Sequence, residues 1–295
     1  MPAKLNARPL GLGLRDVLCV GVGGMPLSRP GRPEESDAIK VIHASLDAGV
    51  TLLDTADVYS IDEDDLGHNE RLFAKALRSW EGASDSITVA TKGGMTRTGQ
   101  EWGRDGRPEH IKVACERSLK ALGVERITLY QYHSPDDRVA FKDSVGAFKD
   151  LQDEGKIKHI GLSNVSVEQI KEAEKIVTVC TVQNRLNPFF REAIEEGVLD
   201  YCEERGIGFL AYSPVGGGRL NKKLPDHPVV HEIAKRHGMS EHSVVLTWVL
   251  SRSPSVIVIP AARRIESALD SIKAAGATLP EEDLAAITNA EFSRA

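Results

Sequence analysis

The sequence predicts an α/β fold in which a single domain, residues 1–295, forms a closed (β/α)8 TIM barrel with an N-terminal β-hairpin and an extra C-terminal helix. Two observations lead to this prediction. Short apolar runs, rich in β-branched and aromatic residues as buried parallel strands are, recur along the chain, and segments with helical spacing of apolar residues separate them. The predicted strands are Val17–Val22, Val50–Leu53, Ile87–Ala90, Ile127–Tyr132, Ile157–Leu162, Val177–Val182, Ile207–Ala211 and Val256–Ile259.

The segments between these runs carry the start and stop signals of helices. Pro108 stands at a first helical position, and Ser166 with Gln169 has the spacing of a capping box. Glycines follow several helical segments and directly precede a strand, as C-terminal capping glycines do. Such glycines are Gly49, Gly123 and Gly206. The predicted helix faces include Ile111, Cys115, Leu119 and Leu122 in one segment and Ile194, Val198 and Tyr201 in another.

A doubly wound sheet shows the same alternation, so it is the alternative to the barrel. The glycines at Gly21 to Gly24 could suggest a dinucleotide-binding loop, but they lack the G-x-G-x-x-G spacing, and Pro26 follows where a helix should begin. We expect a tight turn there. Arg8–Val17 is expected to form a small hairpin at one mouth of the barrel, and Pro280–Phe292 an extra helix.

Composition excludes several classes of protein. The 295 residues are 41% hydrophobic and 27% charged, and 37 basic residues against 43 acidic ones give a net charge of −6. This balance argues against nucleic acid and anionic membranes as partners. The four cysteines are widely spaced, and neither a signal peptide nor a run of about 20 apolar residues is visible. We therefore expect a soluble, cytoplasmic protein with buried, reduced cysteines.

Polar residues follow the predicted strands at the end where a parallel barrel collects its chemistry. Asp54 ends the second strand with Tyr59 five residues on, Lys92 ends the third and His133 the fourth. Each alone has an ordinary structural explanation, but together these groups converge on one small volume. The later strand ends carry Ser163 with Asn164, Gln183 with Asn184, Tyr212 with Ser213, and Pro260 with Arg263 and Arg264 beyond.

The chemistry of the first four groups suggests proton transfer. A free phenol has a pKa near 10, and the ammonium of Lys92 is expected to lower the pKa of Tyr59. Asp54 would keep Lys92 charged and fixed, and His133 could hydrogen-bond a substrate oxygen. Tyr59 then becomes the candidate proton donor to a developing alkoxide.

These residues and their order resemble those of the aldo-keto reductases, from about Arg8 to Ala286. The motifs that carry the resemblance are Asp54-Thr-Ala-Asp-Val-Tyr59, Ala90-Thr-Lys92-Gly-Gly, Tyr130-Gln-Tyr-His133, Gly155 to Asn164, Val182-Gln183-Asn184, Ala211-Tyr-Ser-Pro214 and Ile259-Pro260. The resemblance implies a barrel that transfers hydride between NADP(H) and a carbonyl or alcohol. It also implies Tyr59 as general acid/base, Asp54 and Lys92 as its tuning pair, and His133 as substrate orienter.

The resemblance further implies a cofactor site. Ser163, Asn164 and Gln183 would hold the nicotinamide carboxamide, and Tyr212 would stack on its ring. The remaining implied contacts, along the pyrophosphate and at the adenosine 2′-phosphate, are Ser213, Pro214, Gly216, Ile259, Arg263, Arg264 and Ser267. Arginines at the 2′-phosphate favour NADPH. The chain departs from the family at this end of the site. The glycine usual after Ile-Pro is Ala261 here, and the positions often held by Gln or Arg and by Asn are Ser267 and Ser271. NADH therefore remains possible.

Two segments bear on the substrate. Asp62 to Asp65 place four acids close to Tyr59, between Asp54 and Gly67, a segment called the active-site loop below. We expect these acids to form a solvated loop and no metal site, because no second ligand cluster is visible. The loops 93–107, with Trp102, and 215–225 are expected to rim the pocket. The sequence ends at Ala295, soon after the last predicted helix, so we expect no long closing loop and an open site for aldehydes.

The favoured function is an NADPH-dependent carbonyl reductase acting on a small-molecule carbonyl substrate. Within the family, a pyridoxal reductase or a sugar or alcohol dehydrogenase is the alternative. An NADP-binding sensor or channel-subunit-like barrel without significant turnover is an alternative of another class. A Schiff-base lyase using Lys92 ranks last, because it gives Tyr59 and Gln183 no role.

Overall fold

The structure, a computed structural model, describes residues 6–295. Its strands are β1 (Ala7–Pro9), β2 (Asp16–Leu18), β3 (Val22–Gly23), β4 (Leu52–Asp54), β5 (Thr88–Gly93), β6 (Met95–Thr98), β7 (Glu101–Arg104), β8 (Ile127–Tyr132), β9 (Ile157–Ser163), β10 (Val179–Arg185), β11 (Gly208–Tyr212) and β12 (Val256–Ile259). Eight of them form one parallel sheet in the order β3-β4-β5-β8-β9-β10-β11-β12. The predicted (β/α)8 barrel is confirmed.

Backbone hydrogen bonds between the first and last strands close the sheet. Val20 bridges Val258 in parallel, the Gly21 N–H donates to the Val258 carbonyl at 2.8 Å, and the Gly23 N–H donates to the Pro260 carbonyl at 2.9 Å. Because the edges of β3 and β12 pair with each other, the sheet is a barrel and the doubly wound alternative is wrong.

Helices alternate with the barrel strands and cover them from outside. They are α1 (Glu35–Asp47), α2 (His68–Ser79), α3 (Pro108–Leu122), α4 (Phe141–Asp153), α5 (Val167–Ala173), α6 (Glu192–Glu195), α7 (Val198–Arg205), α8 (Gly217–Leu220), α9 (Pro228–His237), α10 (Glu241–Leu250), α11 (Ile265–Lys273) and α12 (Glu281–Asn289). The predicted start at Pro108 and the capping box of Ser166 with Gln169 are both present. The single helix predicted through Ile194 and Tyr201 is wrong, because Gly197, at φ 73°, divides it into α6 and α7.

The predicted strands agree with the observed ones, with one exception. Ile127–Tyr132 and Val256–Ile259 have the predicted bounds, and most others begin or end one to three residues further on. The first run, Val17–Val22, does not form one barrel strand. Its first two residues, Val17 and Leu18, lie in β2, which pairs antiparallel with β1, and only its last residue lies in β3. One apolar run therefore serves two sheets, which hydrophobic pattern alone does not reveal.

The N-terminal hairpin closes the bottom of the barrel, opposite the strand ends that carry the polar residues. Leu10 and Val17 belong to the apolar cluster inside the barrel, with side chains from β4, β8, β11 and β12. The hairpin approaches so closely that a Cβ at Gly208 would lie 1.8 Å from the Leu10 carbonyl oxygen. Glycine is therefore required at the start of β11.

A second hairpin stands on the opposite mouth. Its strands β6 and β7 pair antiparallel from Met95 with Arg104 to Thr98 with Glu101. The segment 93–107 was expected to be a loop, so this expectation is corrected: Trp102 is carried by a strand. The segment 215–225 contains α8 and a short 3-10 helix, Asn221–Lys223.

The last helices complete the outer layer. α12 lies within the predicted Pro280–Phe292 and packs against α9. Together with their neighbours these helices bury every residue of α10 from Ser243 to Leu250. All four cysteines are unpaired and buried, as expected. Among residues 6–295, no helix combines the length and the apolar character needed to cross a membrane.

Candidate active site

The predicted polar residues meet at the carboxyl ends of consecutive barrel strands. Asp54 is the last residue of β4, Lys92 lies near the end of β5, and His133 follows β8. The pairing register sets these strand ends side by side: Asp54 pairs with Ala90, two residues before Lys92. Tyr59 reaches the same place from the loop after β4.

The centre of the site is a buried cation held by three oxygens. Lys92 is fully buried, and its Nζ donates to Asp54 Oδ2 at 2.7 Å, to the Thr55 carbonyl at 2.8 Å and to the Tyr59 hydroxyl at 3.2 Å. These three bonds use all the donors of a lysine ammonium. The phenol oxygen of Tyr59 therefore lies against a fixed positive charge.

The carboxylate of Asp54 is also saturated on its other side. Its Oδ1 accepts from Gln183 Nε2 at 2.8 Å and from Gln131 Nε2 at 3.4 Å. Gln183 was implied to hold a cofactor amide; in the structure its own amide nitrogen binds Asp54. Gln131, inside β8, is a contact that the sequence analysis did not identify.

Burial and charge act together on the protonation of this cluster. Burial lowers the pKa of Lys92, but Asp54 and Tyr59 raise it more, so the ammonium is retained. For Tyr59, burial raises the pKa, Lys92 lowers it and Asp54 raises it again, and the net direction is upward. Lys92 therefore lowers the pKa of Tyr59, as predicted, but burial of the phenol outweighs the ammonium, so the net pKa is not a lowered one. Tyr59 keeps its proton at neutral pH.

His133 faces the phenol as a neutral imidazole. The rings of His133 and Tyr59 meet edge to face with centroids 5.8 Å apart. Burial, and next to it the charge of Lys92, lowers the pKa of His133 well below its ordinary value. His133 Nδ1 is buried with no hydrogen-bond partner among the described residues. An imidazole in this state can orient a polar group, but it does not carry charge at neutral pH.

A polar network continues from His133 to the next strand ends. Asn164 Nδ2 donates to the His133 carbonyl at 3.0 Å and to Ser163 Oγ at 3.1 Å, and the Tyr212 hydroxyl donates to Asn164 Oδ1 at 2.7 Å. Asn164 and Ser213 are the two non-glycine residues with positive φ among the described residues, at 58° and 49°. Such strain concentrates at ligand sites.

The segment after β11 is a turn built on glycine. The Gly216 N–H donates to the Ser213 carbonyl at 2.9 Å, and Asn187 Nδ2 donates to the same carbonyl at 2.9 Å. Gly216 has φ 92° at the start of α8, a conformation that favours glycine. Pro214 is buried within this turn.

The last strand ends in an exposed basic surface. Ile259 ends β12. Arg264 is at the position before the first residue of α11, without a side-chain capping bond, and Ser267 lies in the first turn of that helix. Arg263 Nε donates to the Pro26 carbonyl at 3.1 Å, which ties the surface to the loop after β3. The Arg264 side chain makes no hydrogen bond or ion pair with residues 6–295. A helix N-terminus flanked by arginines attracts phosphate.

An apolar wall stands beside Tyr59. The Trp102 ring meets the Tyr59 ring edge to face at 6.2 Å, so the structure brings the predicted substrate residue to the site. Three further side chains pack against the cluster around Tyr59. They are Met25, Leu66 and Met95.

None of the four acids in the insertion is buried, as expected of a solvated loop, but the segment also contains a short helix. Glu63–Asp65 form a 3-10 helix capped by the Asp62 side chain, which accepts from the Asp64 N–H. Glu63 Oε2 accepts from the Gly99 N–H at 2.5 Å, and Asp65 Oδ2 pairs with Arg32 at 2.6 Å. The acids thus fasten the hairpin β6–β7 and the loop after β3. Across residues 6–295, no three His, Cys, Asp or Glu side chains converge on a metal-sized position.

Sequence reasoning missed a second buried polar cluster, between the barrel and α2–α3. Glu70 accepts from Thr91 Oγ1 at 2.6 Å, and Asp57 accepts from Arg117 Nη2 at 2.7 Å. Burial first, and Asp57 next, raise the pKa of Glu70 to about 7. A signal was available: Glu70, Phe73 and Leu77 share helical spacing, so the carboxyl lies on an apolar face. Several atoms of the cluster are buried without a partner among the described residues: Asp57 Oδ1, Glu70 Oε2, Arg117 Nε, Ser118 Oγ and Tyr130 OH.

The arginines at Trp102 were also missed. The guanidinium carbons of Arg97 and Arg29 lie 4.6 Å and 5.1 Å from the centroid of the Trp102 ring. Arg29 is far from Arg97 and Trp102 in the sequence, so no sequence pattern connects them. The fold alone brings them together, because the loop after β3 and the hairpin β6–β7 meet at the mouth of the barrel.

Comparisons with known proteins agree with this architecture. A model of the aldo/keto reductase family matches residues 19–291. An uncharacterised oxidoreductase of Schizosaccharomyces pombe is 34% identical over 268 residues, covering 89% of this chain and 83% of that protein. Probable aldo-keto reductase 1 of Glycine max is 33% identical, covering 98% and 88% respectively. The solved structure of a glycerol dehydrogenase from Gluconobacter oxydans superposes with a TM-score of 0.81 at 28% identity, covering 95% of this chain and 93% of that one.

Proposed function

Because the chain belongs to the aldo/keto reductase family of oxidoreductases, we propose that it reduces aldehydes or ketones with NADPH and that Tyr59 is the proton donor. One observation carries the proposal: the Lys92 ammonium, itself fixed by Asp54, donates to the Tyr59 hydroxyl at 3.2 Å. A buried acid held against a fixed cation at a barrel mouth is the arrangement that proton transfer to a developing alkoxide requires.

The proton chemistry follows from these contacts. Tyr59 carries its proton at neutral pH because its pKa is raised. When the proton leaves, the phenolate oxygen remains within hydrogen-bond reach of the Lys92 ammonium, which stabilises the new negative charge. The neutral imidazole of His133, edge-on to Tyr59, can donate to the substrate oxygen and direct it toward the phenol.

The residues at the remaining strand ends fit a nicotinamide dinucleotide. NADPH, when bound, supplies the hydride that reduces the carbonyl carbon. Ser163, Asn164 and Gln183 would hold the carboxamide, and Tyr212 offers an aromatic face for the ring. The strained backbone of Asn164 and Ser213 supports a ligand at this position, since strain of this kind persists where a site demands it.

The phosphates of NADPH would bind at the carboxyl ends of β11 and β12, on the other side of the barrel mouth. Ser213, Pro214 and Gly216 form the turn that would follow the pyrophosphate, and Ile259 pairs with Tyr212, directly before that turn. The 2′-phosphate would meet Arg263, Arg264 and Ser267 at the N-terminus of α11. The guanidinium of Arg264, exposed and without a partner among the described residues, is the group free to bind it.

A second candidate is the reverse activity, oxidation of an alcohol. The similar fold of a glycerol dehydrogenase, at 28% identity, favours it. The same groups would serve, with Tyr59 as base in place of acid. Reduction is the proposal because the raised pKa of Tyr59 favours the protonated form. A pyridoxal reductase and a binding protein without turnover remain alternatives.

The experiment that tests the function is NADPH oxidation with 4-nitrobenzaldehyde by the wild-type protein and Tyr59→Phe. Loss of the proton donor should lower kcat by about 10²- to 10⁴-fold. Tyr201→Phe is the matched control, because it removes a phenol hydroxyl that binds Glu174 on the surface; its rate should equal that of wild type. Equal rates for Tyr59→Phe and wild type would remove Tyr59 from the mechanism. Turnover by neither protein across an aldehyde panel, with NADPH bound tightly, would favour the binding-protein alternative.

Cofactor choice has a separate test. Fluorescence titrations with NADPH and NADH, run in parallel, should show tighter NADPH binding. Arg264→Gln should weaken NADPH about tenfold, the worth of one charge-assisted contact, and should leave NADH unchanged. A similar loss for both nucleotides would show that Arg264 does not read the 2′-phosphate.

A further inference from the structure

Two cations lie against one aromatic ring at the mouth of the barrel. The guanidinium carbons of Arg29 and Arg97 are 5.1 Å and 4.6 Å from the Trp102 ring, which itself meets Tyr59 edge-on at 6.2 Å. Both cations therefore lie within about 11 Å of the Tyr59 ring. This distance matches the length of a small substrate whose carbonyl group lies at Tyr59 and whose other end lies at the two cations.

The two arginines differ in what their N–H groups bind. Arg97 is 4% exposed, and its Nη atoms donate to the carbonyls of Ser60, Ile61 and Gln100, which fixes the hairpin on the active-site loop. Arg29 makes no side-chain hydrogen bond and no ion pair with residues 6–295. The Nε atoms of both side chains are buried without a partner among those residues.

Stacking on Trp102 does not satisfy these donors. A guanidinium presents its face to an aromatic ring, whereas its N–H groups point outward in its own plane. A buried N–H without an acceptor is costly, and more so when it belongs to a cation. The free in-plane donors of Arg29 therefore point to an acceptor that the protein chain itself does not provide.

The neighbouring acids are already bound elsewhere. Glu63 accepts from the Gly99 N–H, Asp62 from the Asp64 N–H, and Asp65 pairs with Arg32. Burial lowers the pKa of Arg97, and the neighbouring Arg29 cation lowers it further, whereas Asp62 and Glu63 raise it. The two guanidiniums thus repel each other, and no carboxylate forms an ion pair with either within the described residues.

The fold holds Arg29 in this position. The preceding turn, Met25–Leu27, ends at Ser28, whose hydroxyl accepts from Asn69 Nδ2 at 2.7 Å. Asn69 also donates to the Gly24 carbonyl at 2.9 Å and accepts from Thr55 Oγ1 at 2.7 Å. The loop that carries Arg29 is thereby tied to the active-site loop, so the cation is held near Tyr59 before any ligand binds.

We propose that Arg29, supported by Arg97, binds an anionic group of the carbonyl substrate, a carboxylate or a phosphate. The proposal rests on the proposed function and names its substrate class: an aldehyde or ketone whose carbonyl meets Tyr59 and whose flat or short apolar body lies along Trp102. Met25 and Met95 supply the adaptable remainder of the apolar wall. The diphosphate of NADPH is also an anion of the kind that a guanidinium binds. The test therefore separates binding of the substrate from binding of the cofactor.

The substrate pair for the test is 4-formylbenzoate and its methyl ester, which differ in charge and little in shape. With NADPH saturating, wild type should have the higher kcat/KM for the acid. Arg29→Gln should lower the ratio of acid to ester on the order of tenfold, the worth of one charge-assisted hydrogen bond. Arg29→Lys should restore part of it. Arg32→Gln, which removes an equal charge from the same loop, should keep the wild-type ratio, because Arg32 is paired with Asp65.

Two further measurements separate the possible failures. An unchanged ratio in Arg29→Gln, with the ester still reduced, overturns the inference and leaves the proposed function standing. If Arg29→Gln has a higher dissociation constant for NADPH and an unchanged acid-to-ester ratio, Arg29 binds the cofactor, and the inference is again overturned. If wild type reduces neither these substrates nor 4-nitrobenzaldehyde, the proposed function fails, and calorimetry decides the inference. NADP-saturated wild type should then bind benzoate about tenfold more tightly than benzamide, and Arg29→Gln should bind both equally. Equal binding by wild type overturns it.

Discussion

The buried carboxyl of Glu70 should make the protein less stable as the pH rises through the weakly acidic range. Burial, and then the neighbouring Asp57, raise its pKa from 4.5 to about 7 in the folded protein. The hydrogen bond from Thr91 lowers it by less. In the unfolded chain the carboxyl has its ordinary pKa. The folded state therefore holds the proton more tightly than the unfolded state does.

The sign and size of the effect follow from this difference. Below pH 4.5 both states are protonated and Glu70 costs nothing. Between pH 4.5 and about 7 the unfolded chain releases the proton while the folded protein keeps it, so the free energy of unfolding falls as pH rises. At about 1.4 kcal/mol for each pKa unit, the loss totals about 3 kcal/mol and is complete above pH 7.

Glu70→Gln removes this titration and keeps a donor and an acceptor of similar shape. The free energy of unfolding, measured by urea denaturation at pH 4.5, 6 and 8, should become less dependent on pH, and the variant should gain about 3 kcal/mol on wild type between the two extremes. Glu203→Gln, at an exposed helix position, is the control and should parallel wild type. If the curves of Glu70→Gln and wild type are also parallel, Glu70 is ionised in the folded protein and the reasoning is refuted.

Three other outcomes are expected. Lys92→Met should destabilise the protein by about 3–5 kcal/mol in urea denaturation, because it leaves the buried Asp54 charge unpaired. Adding Asp54→Asn should recover part of that loss; if the two substitutions instead destabilise the protein additively, the pairing is contradicted. Gly208→Ala should cost at least about 3 kcal/mol, since its Cβ would lie 1.8 Å from a carbonyl oxygen, whereas Gly218→Ala, with no atom within 4 Å, should be close to neutral. The kcat/KM of carbonyl reduction should stay constant from about pH 6 to pH 9 and fall only at higher pH, because Tyr59 keeps its proton and the imidazole of His133 stays neutral. A change of slope in kcat/KM near pH 7 would assign the essential proton to another group.

The architecture and the meeting of four polar groups could be anticipated because the geometry of parallel strands is general. Apolar runs alternating with helical segments require parallel pairing, and parallel strands in a barrel bring their carboxyl ends to one mouth. Asp54, Lys92 and His133 each stand at such an end, so their convergence followed from counting strands. Tyr59 joined them because it lies only five residues beyond Asp54.

What could not be anticipated depends on burial and on contacts between distant segments. The net pKa of Tyr59 is set by how completely the closed site excludes water, which no spacing encodes. Val17–Val22 divides between two sheets because its first two residues belong to the hairpin that closes the barrel bottom. Arg29 and Arg97 meet at Trp102 only because the loop after β3 crosses the mouth toward the hairpin β6–β7.

The most direct test of the central claim follows the hydride itself. Wild type would be supplied with an aldehyde and with NADPH deuterated at C4 of the nicotinamide, on one face or on the other, and the product alcohol analysed by mass spectrometry. If Ser163, Asn164 and Gln183 fix the orientation of the ring and Tyr59 supplies the proton, deuterium should reach the alcohol carbon from one face only, and Tyr59→Phe should bind NADPH normally while forming little product. Alcohol without deuterium from either face, or undiminished product from Tyr59→Phe, would contradict the account.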